Sequence, residues 1–438
     1  MNQNQNGLNL WKKAKQIIPG GSQLLSKRSE MFLPEHWPSY YSKAKGIEIW
    51  DLENNKYKDM CIMGIGSCIL GYADNDVNNA IKKRIDNGNM ATLNCPEEVE
   101  LAEKLLSLDK WAGKVRFTRT GGESMSVAVR IARAYSKKDK IAFCGYHGWH
   151  DWYLATNLKD KNGLNDHLLK GLNPLGVPSA LYGTTIPFHY NKIEELEEII
   201  KNNEIGVIVI EAIRSQPPEN NFLKKVRKLA TENNIVLIFD EITSAWRMSL
   251  GGMYKEYGVI PDIIVYGKAM SNGYPMGAIV GKDEIMDVAQ ESFISSTYWT
   301  EGIGPTAALA TINKLEKNNV KEHIKKTGNY MLDVWEKTGK ENNLELHVDR
   351  GFPAIGHFDF EYENKQAIAT LFTQEMLKRG YLASRGFYTS YSHNKENIDL
   401  YSEKLNEVFN LIKQKIDKNE IEKSLEGPIA HSGFQRVT

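Results

Sequence analysis

Residues 235–268 read IVLIFDEITSAWRMSLGGMYKEYGVIPDIIVYGK, two strongly apolar runs that each stop at a residue able to do chemistry. Ile235–Phe239 ends on Asp240, and Ile263–Tyr266 ends on Gly267 and Lys268. Apolar runs of this length, bounded by turn residues, read as strands buried on both faces. Two more lie upstream, Ile141–Cys144 and Gly206–Ile210, and helical periodicity fills the spaces over Pro96–Leu106, Ser124–Tyr135 and Ile193–Lys201. The alternation predicts an α/β domain, a central mostly parallel sheet flanked by helices. Ligands of such sheets gather outside the carboxyl ends of the strands, where Asp240 and Lys268 fall. Taken alone, Asp240 reads equally well as the N-cap of a following helix.

Outward from this stretch the pattern changes. Gly46–Asp59 alternates apolar and polar residues on both sides of Asn54 and Asn55, the signal of a β-hairpin. Beyond the middle of the chain, Gln366–Arg379 and Asp399–Ile416 are helical, with a few strands among them. The predicted organisation is a large domain over 66–318 and a smaller α+β domain, built from residues 1–65 with their hairpin and residues 319–438. No repeat, low-complexity tract or long Gly/Ser linker separates them.

At 438 residues, 41% hydrophobic and 25% charged, the chain has the balance of a folded globular protein. Lys plus Arg and Asp plus Glu each number 55, so no global field draws nucleic acid or an anionic membrane, and an anionic ligand has to be caught locally. No apolar stretch approaches the roughly 20 residues of a membrane span, and the first residues lack a signal-peptide core. Cys61, Cys68, Cys95 and Cys144 are too sparse for a disulfide framework. The expected location is the cytoplasm.

Two further elements complete a site. Thr120-Gly121-Gly122-Glu123-Ser124 leads into a helix, and small residues there expose backbone N–H groups at the positive end of the helix dipole, a place for phosphate. It has neither the Walker spacing nor the GxGxxG of a dinucleotide site, which argues against a nucleotide-dependent dehydrogenase. Gly145-Tyr146-His147-Gly148-Trp149-His150-Asp151 puts aromatic and imidazole rings at the end of a strand. His147 and His150 are too poorly spaced for a metal, and no further ligand is identifiable, so none is expected. A phosphate cradle, a ring stack, a carboxylate and a lysine amine together are what pyridoxal phosphate demands.

The run IFDEITSAWR, followed by PDIIVYGKAMSNGYPMGA, resembles the class III aminotransferases of fold type I, and within them the glutamate-1-semialdehyde aminomutase group. The likeness extends from Ile18-Pro19-Gly20-Gly21 to Ser392–Asp399. It implies a pyridoxal-phosphate enzyme in which Lys268 carries the cofactor as a Schiff base and then moves protons. Asp240 would pair with the ring nitrogen, Tyr146 and Ile242 would face the ring, and His147 would join the cofactor's surroundings. Gly121 and Gly122 would bind phosphate, and Glu211 would order the site. Thr300 would reach the cofactor of a neighbouring subunit, which implies a homodimer.

Departures from the family pattern sit where substrate is expected. Thr120 to Ser124 replaces Ser-Gly-Thr-Glu-Ala, with Ser124 the candidate for the lost hydroxyl, and Glu301 stands where small polar residues are usual. Lys27 and Arg28 fall near the register of the aminomutase's carboxylate-binding arginine. Arg28, Arg247 and Arg436 are candidates for binding a carboxylate, each also readable as an ordinary ion pair. The expected activity is transamination between a small-molecule amino donor and an aldehyde or ketone acceptor, the acceptor hydroxylated or sugar-derived and Glu301 and Arg28 near it. The alternative is intramolecular 2,1-amino transfer. A non-catalytic protein of the same fold would be expected to lose Lys268 or Asp240, and both are present.

Overall fold

A computed structural model describes residues 5–214 and 216–435. The chain divides into two compact units, Asn75–Lys321 and Met1–Asp74 with Glu322–Thr438.

The first unit is built on a seven-stranded sheet. In chain order its strands are β1 (Lys114–Thr118), β2 (Lys140–Cys144), β3 (Thr185–Pro187), β4 (Ile205–Ile210), β5 (Val236–Asp240), β6 (Ile263–Tyr266) and β7 (Gly277–Gly281). Across the sheet the order is β1-β7-β6-β5-β4-β2-β3. From β6 through to β3 every pairing is parallel, whereas β7 runs antiparallel to both β6 and β1. Every residue of β4, β5, β6 and β7 is buried, which is why those strands read as unbroken apolar runs rather than as alternation. The helix Gly121–Ser136 packs Met125, Val129 and Ile131 into the same core as Val209, Ile238 and Val265. It starts at Gly121, three residues before the periodic pattern, because glycines carry no hydrophobic signal.

The second unit holds two smaller sheets. Glu48–Asp51 and Lys56–Met60 pair antiparallel across a turn in which Asn54 takes a φ of +67°, and Tyr381–Ala383 joins Lys56–Met60 in parallel. Leu346–Asp349, Ile355–Phe360 and Gly386–Tyr388 form the other. Helices Lys365–Lys378 and Lys395–Asp417 bury Phe372 and Phe409 against Phe358 and Phe360. Among the described residues no helix is long and apolar enough to cross a membrane.

Candidate active site

Because the strands from β6 to β3 point the same way, the residues that follow them emerge at one edge of the sheet. β5 delivers Asp240, Ile242 and Thr243. β6 delivers Lys268, β2 delivers Tyr146 and His147, and β4 delivers Glu211. β1 leads through Arg119 and Thr120 to Gly121 and Gly122, and Thr118 lies opposite Gly277 at the start of the reversed β7. The sheet topology alone thus gathers residues up to 147 positions apart in the chain, from Gly121 to Lys268.

Asp240 is buried, and both of its oxygens are engaged. Oδ1 accepts the Ile242 N–H at 3.1 Å, and Oδ2 meets His147 Nδ1 at 2.8 Å. The other imidazole nitrogen, Nε2, lies 3.1 Å from the Cys144 carbonyl. A carbonyl only accepts, so Nε2 carries a proton, and the short contact to Asp240 needs a second one between the two side chains. His147 thereby ties the Asp240 carboxylate to the end of β2.

Lys268 donates from Nζ to Thr243 Oγ1 at 2.8 Å. Its amine is brought down to about 7, first by desolvation and then by the positive charges of Arg214 and Arg247, with Glu211 and Asp240 opposing. At neutral pH a large share of the amine is therefore an unprotonated nucleophile. The backbone at Lys268 has a φ of +42°, in the left-handed region that non-glycine residues rarely occupy.

Thr120 caps the helix Gly121–Ser136 with a reciprocal pair of bonds. Its hydroxyl accepts from the Glu123 N–H, and the Glu123 carboxylate accepts from the Thr120 and Arg119 N–H groups. Glu123 and Ser124 N–H are satisfied as well, which leaves the Gly121 and Gly122 N–H groups without a partner among the described residues. Ser124 turns inward, bonded to Thr118 Oγ1 at 2.6 Å and to the Thr120 carbonyl at 2.8 Å, so the loop offers backbone rather than that hydroxyl.

Glycine also keeps a cradle open. A Cβ on Gly121 would come within 3.2 Å of Ile242 Cδ1, and one on Gly267 within 3.3 Å of Ile242 Cγ2. Two unpartnered N–H groups at a helix start, a clear space around Ile242, a buried carboxylate and a neutralisable amine fit a phosphorylated, aldehyde-bearing pyridine.

The profile of the class-III aminotransferases matches residues 34–409. The chain belongs to this family. It is 33% identical to a 3-aminobutyryl-CoA aminotransferase of Cloacimonas acidaminovorans, over 81% of this chain and 83% of that one. It is also 33% identical to a glutamate-1-semialdehyde 2,1-aminomutase of Fusobacterium nucleatum, over 79% and 80%. Among solved structures, the PLP-bearing FumI protein of Sphingopyxis sp. MTA144 superimposes with a TM-score of 0.85 at 20% identity, covering 95% of this chain and 98% of that one. An omega-transaminase of Sphaerobacter thermophilus gives 0.80 at 22%, covering 93% and 97%. The fold is that of the fold-type-I transferases, the protein is a PLP-dependent aminotransferase, and pyridoxal phosphate is its cofactor.

Around this aminotransferase core stand two side chains that sequence reasoning passed over. Thr243, on Lys268, follows Asp240 by three residues in DEIT but carries no motif of its own. Arg214 forks onto Glu211, Nε to both carboxylate oxygens at 2.9 Å and Nη2 to Oε1 at 2.7 Å, and its guanidinium lies 5.8 Å from the centre of the Tyr146 ring. Burial raises the Glu211 carboxyl, yet Arg214 more than reverses this and holds it below the usual carboxylate range. Glu211 Oε2 also accepts the Tyr146 N–H at 3.1 Å. The only sequence signal for the pair was opposite charge at a spacing of three.

Other expected residues lie apart from Lys268 or are already engaged. Thr300 is exposed, its hydroxyl on the Thr297 carbonyl at 2.9 Å. Glu301 pairs with Arg119 at 2.7 Å and accepts the Ile303 and Gly304 N–H groups, capping the helix Ile303–Lys317. Arg247 is fully buried and donates to the Thr243 carbonyl at 2.7 Å. In the other unit, Arg28 donates to the Gln435 carbonyl at 3.0 Å and sits over Phe434, and Lys27 closes a short helical turn. Arg436 lies outside the described residues. His150 packs under Gly122 and against Trp149, and no group of three metal-ligating side chains forms among the described residues.

Proposed function

We propose that this aminotransferase moves an amino group from a small amino donor to an aldehyde or ketone bearing hydroxyl groups, a sugar-derived carbonyl being the prime case. The observation that carries the reading is the Lys268 amine, anchored on Thr243 and brought to about 7 beside Asp240. Bound pyridoxal phosphate supplies an electron sink for charge that develops at the substrate carbon. Asp240, braced by His147, would hold the proton on the ring nitrogen, and the Gly121 and Gly122 N–H groups would take the phosphate. Tyr146 and Ile242 would lie against the ring, and Glu211 would fix the Tyr146 backbone. Lys268 Nζ is the proton carrier, taking a proton from the donor's carbon and returning one on the acceptor's side.

In this reading the enzyme works in the cytoplasm as a homodimer, with Thr300 at the edge where subunits meet and Glu301 near the acceptor. Supporting self-association, exposed aromatic residues flank Thr300 and the phosphate loop: Phe293 is 88%, Tyr298 71% and Trp149 69% exposed. The test is a half-reaction. Amines added singly should bleach the visible absorbance of the holoenzyme, and borohydride should fix the cofactor on the Lys268 peptide, as read by mass. Turnover of an amine by Lys268→Ala would overturn the assignment.

The 2,1-aminomutase reading draws support from the relatives named for that activity. It differs in its product: an isomer of the substrate formed with no added acceptor, which product identification separates from transamination.

A further inference from the structure

A cavity of about 300 Å³ opens over the carboxyl ends of β4, β2 and β3, beside the Lys268 cluster. Glu211 and Cys144 form its buried floor, and Asp166 and His189 stand exposed on its walls with His167, Arg214 and Gln216. The geometry points to this cavity as the subsite for the part of the substrate remote from the reacting carbon, and to a neutral, hydroxyl-bearing chain as what it takes. The inference rests on the amino-transfer reading and names the residues that would select its acceptor.

Three observations carry it. The first is continuity: Glu211 on the floor accepts the Tyr146 N–H, and Arg214 on the wall lies over the Tyr146 ring. A substrate extending past Tyr146 would therefore meet this cavity. The second is charge. Two carboxylates, Asp166 and Glu211, face one guanidinium already forked by Glu211, while the wall's His189 is held between two carboxylates, Nδ1 3.0 Å from Glu195 and Nε2 3.8 Å from Asp166. His167 adds no positive charge near neutrality, since burial, with His147 and His189 adding to it, brings its ring down to about 4. A carboxylate, phosphate or other anionic tail gains little here and is repelled by Asp166.

The third is hydrogen-bonding character. His167 Nδ1 accepts the Gly145 N–H at 3.3 Å, so the neutral ring carries its proton on Nε2 as a donor. Asp166 only accepts, and the Gln216 amide does both. Hydroxyl groups, which donate and accept at one atom, satisfy such a mixed wall, whereas an alkyl chain would strand its polar groups. The volume lies at the lower end of the range for small-molecule sites.

The experiment uses three four-carbon aldehydes: erythrose, butanal and succinic semialdehyde. Holoenzyme is first bleached with an active amine donor, and the return of visible absorbance then gives kcat/KM for each aldehyde. Erythrose should exceed the other two by at least tenfold. In Asp166→Ala and Gln216→Leu that advantage should fall at least threefold, and because both side chains are exposed, the absorbance before bleaching confirms an intact fold. Butanal or succinic semialdehyde matching erythrose, no aldehyde restoring the absorbance, or an advantage unchanged in both variants would each overturn the subsite. If no amine bleaches the holoenzyme at all, the amino-transfer reading itself falls and the subsite with it.

Discussion

Lys268 sits in a left-handed backbone conformation next to Gly267, and its amine is short of water. Its proton affinity gives a direct prediction for the apoprotein. In its proposed role, capture of added pyridoxal phosphate by Lys268 requires the unprotonated amine, so the rate should rise with pH up to about 7 and then flatten. An ordinary lysine would keep accelerating toward 10.5. Stopped-flow absorbance across roughly pH 5–9, about two units either side of that value, checks it. Thr243→Val removes the bond to Nζ without changing shape, and it should lower the rate of the amine half-reaction by about tenfold, the equivalent of one such hydrogen bond. At this scale the sequence was informative where chemistry coincides with a strand end: Asp240 and Lys268 each terminate an apolar run. It was silent on Thr243 and Arg214, because a hydrogen bond across 25 residues or a fork onto Glu211 depends on how loops fold back, which no local pattern encodes.

Among the elements, the helix Gly121–Ser136 ties the proposed phosphate loop to the core. Its capping box spends the Thr120 hydroxyl and the Glu123 carboxylate on helix ends, so the loop's anion capacity resides in backbone groups. Thr120→Ala should cost about 1 kcal/mol of stability, seen as a lower midpoint in thermal melts. Gly122→Ala should act differently, since its Cβ would come within 2.6 Å of the His150 ring. Either the His150 ring or the loop must shift, and retention of cofactor on dialysis should drop while the melting of apoprotein changes little. The strands β4, β5 and β6 were legible because burial on both faces makes them uniformly apolar. β1, which reads KVRFT, and β7, bounded by glycines, were not, and with β7 went the antiparallel pairing that no apolar run reveals.

For the whole molecule, stability carries a signature of the buried Glu241. Burial, with Asp109 adding, pushes its carboxyl up to about 7, despite bonds from Ser244, Met253 and Tyr254. A carboxyl that binds its proton more tightly when folded stabilises the fold fully below its ordinary 4.5, and that contribution is lost as pH rises to about 7. Wild-type protein should therefore lose melting temperature relative to Glu241→Gln between pH 4.5 and 7.5, as calorimetry of both proteins would show. Light scattering of the holoenzyme should give twice the mass of one chain, and Phe293→Lys with Tyr298→Lys should shift it toward a single chain.

The reversed strand β7 has a consequence for how the gene can vary. Since Ala278 lies opposite Tyr266, the segment carrying Lys268 is the connection of a β-hairpin, clamped at both ends by one ladder. A single-residue insertion or deletion there that propagated into the ladder would turn every following side chain of β7 to the wrong face. The segments after β2 and β4 run out into long irregular stretches that absorb such changes. Length variation should thus be tolerated around Asp166 and Gln216 and rejected between Gly267 and Met276, so new substrate ranges would arise by resizing the former while the lysine stays in register.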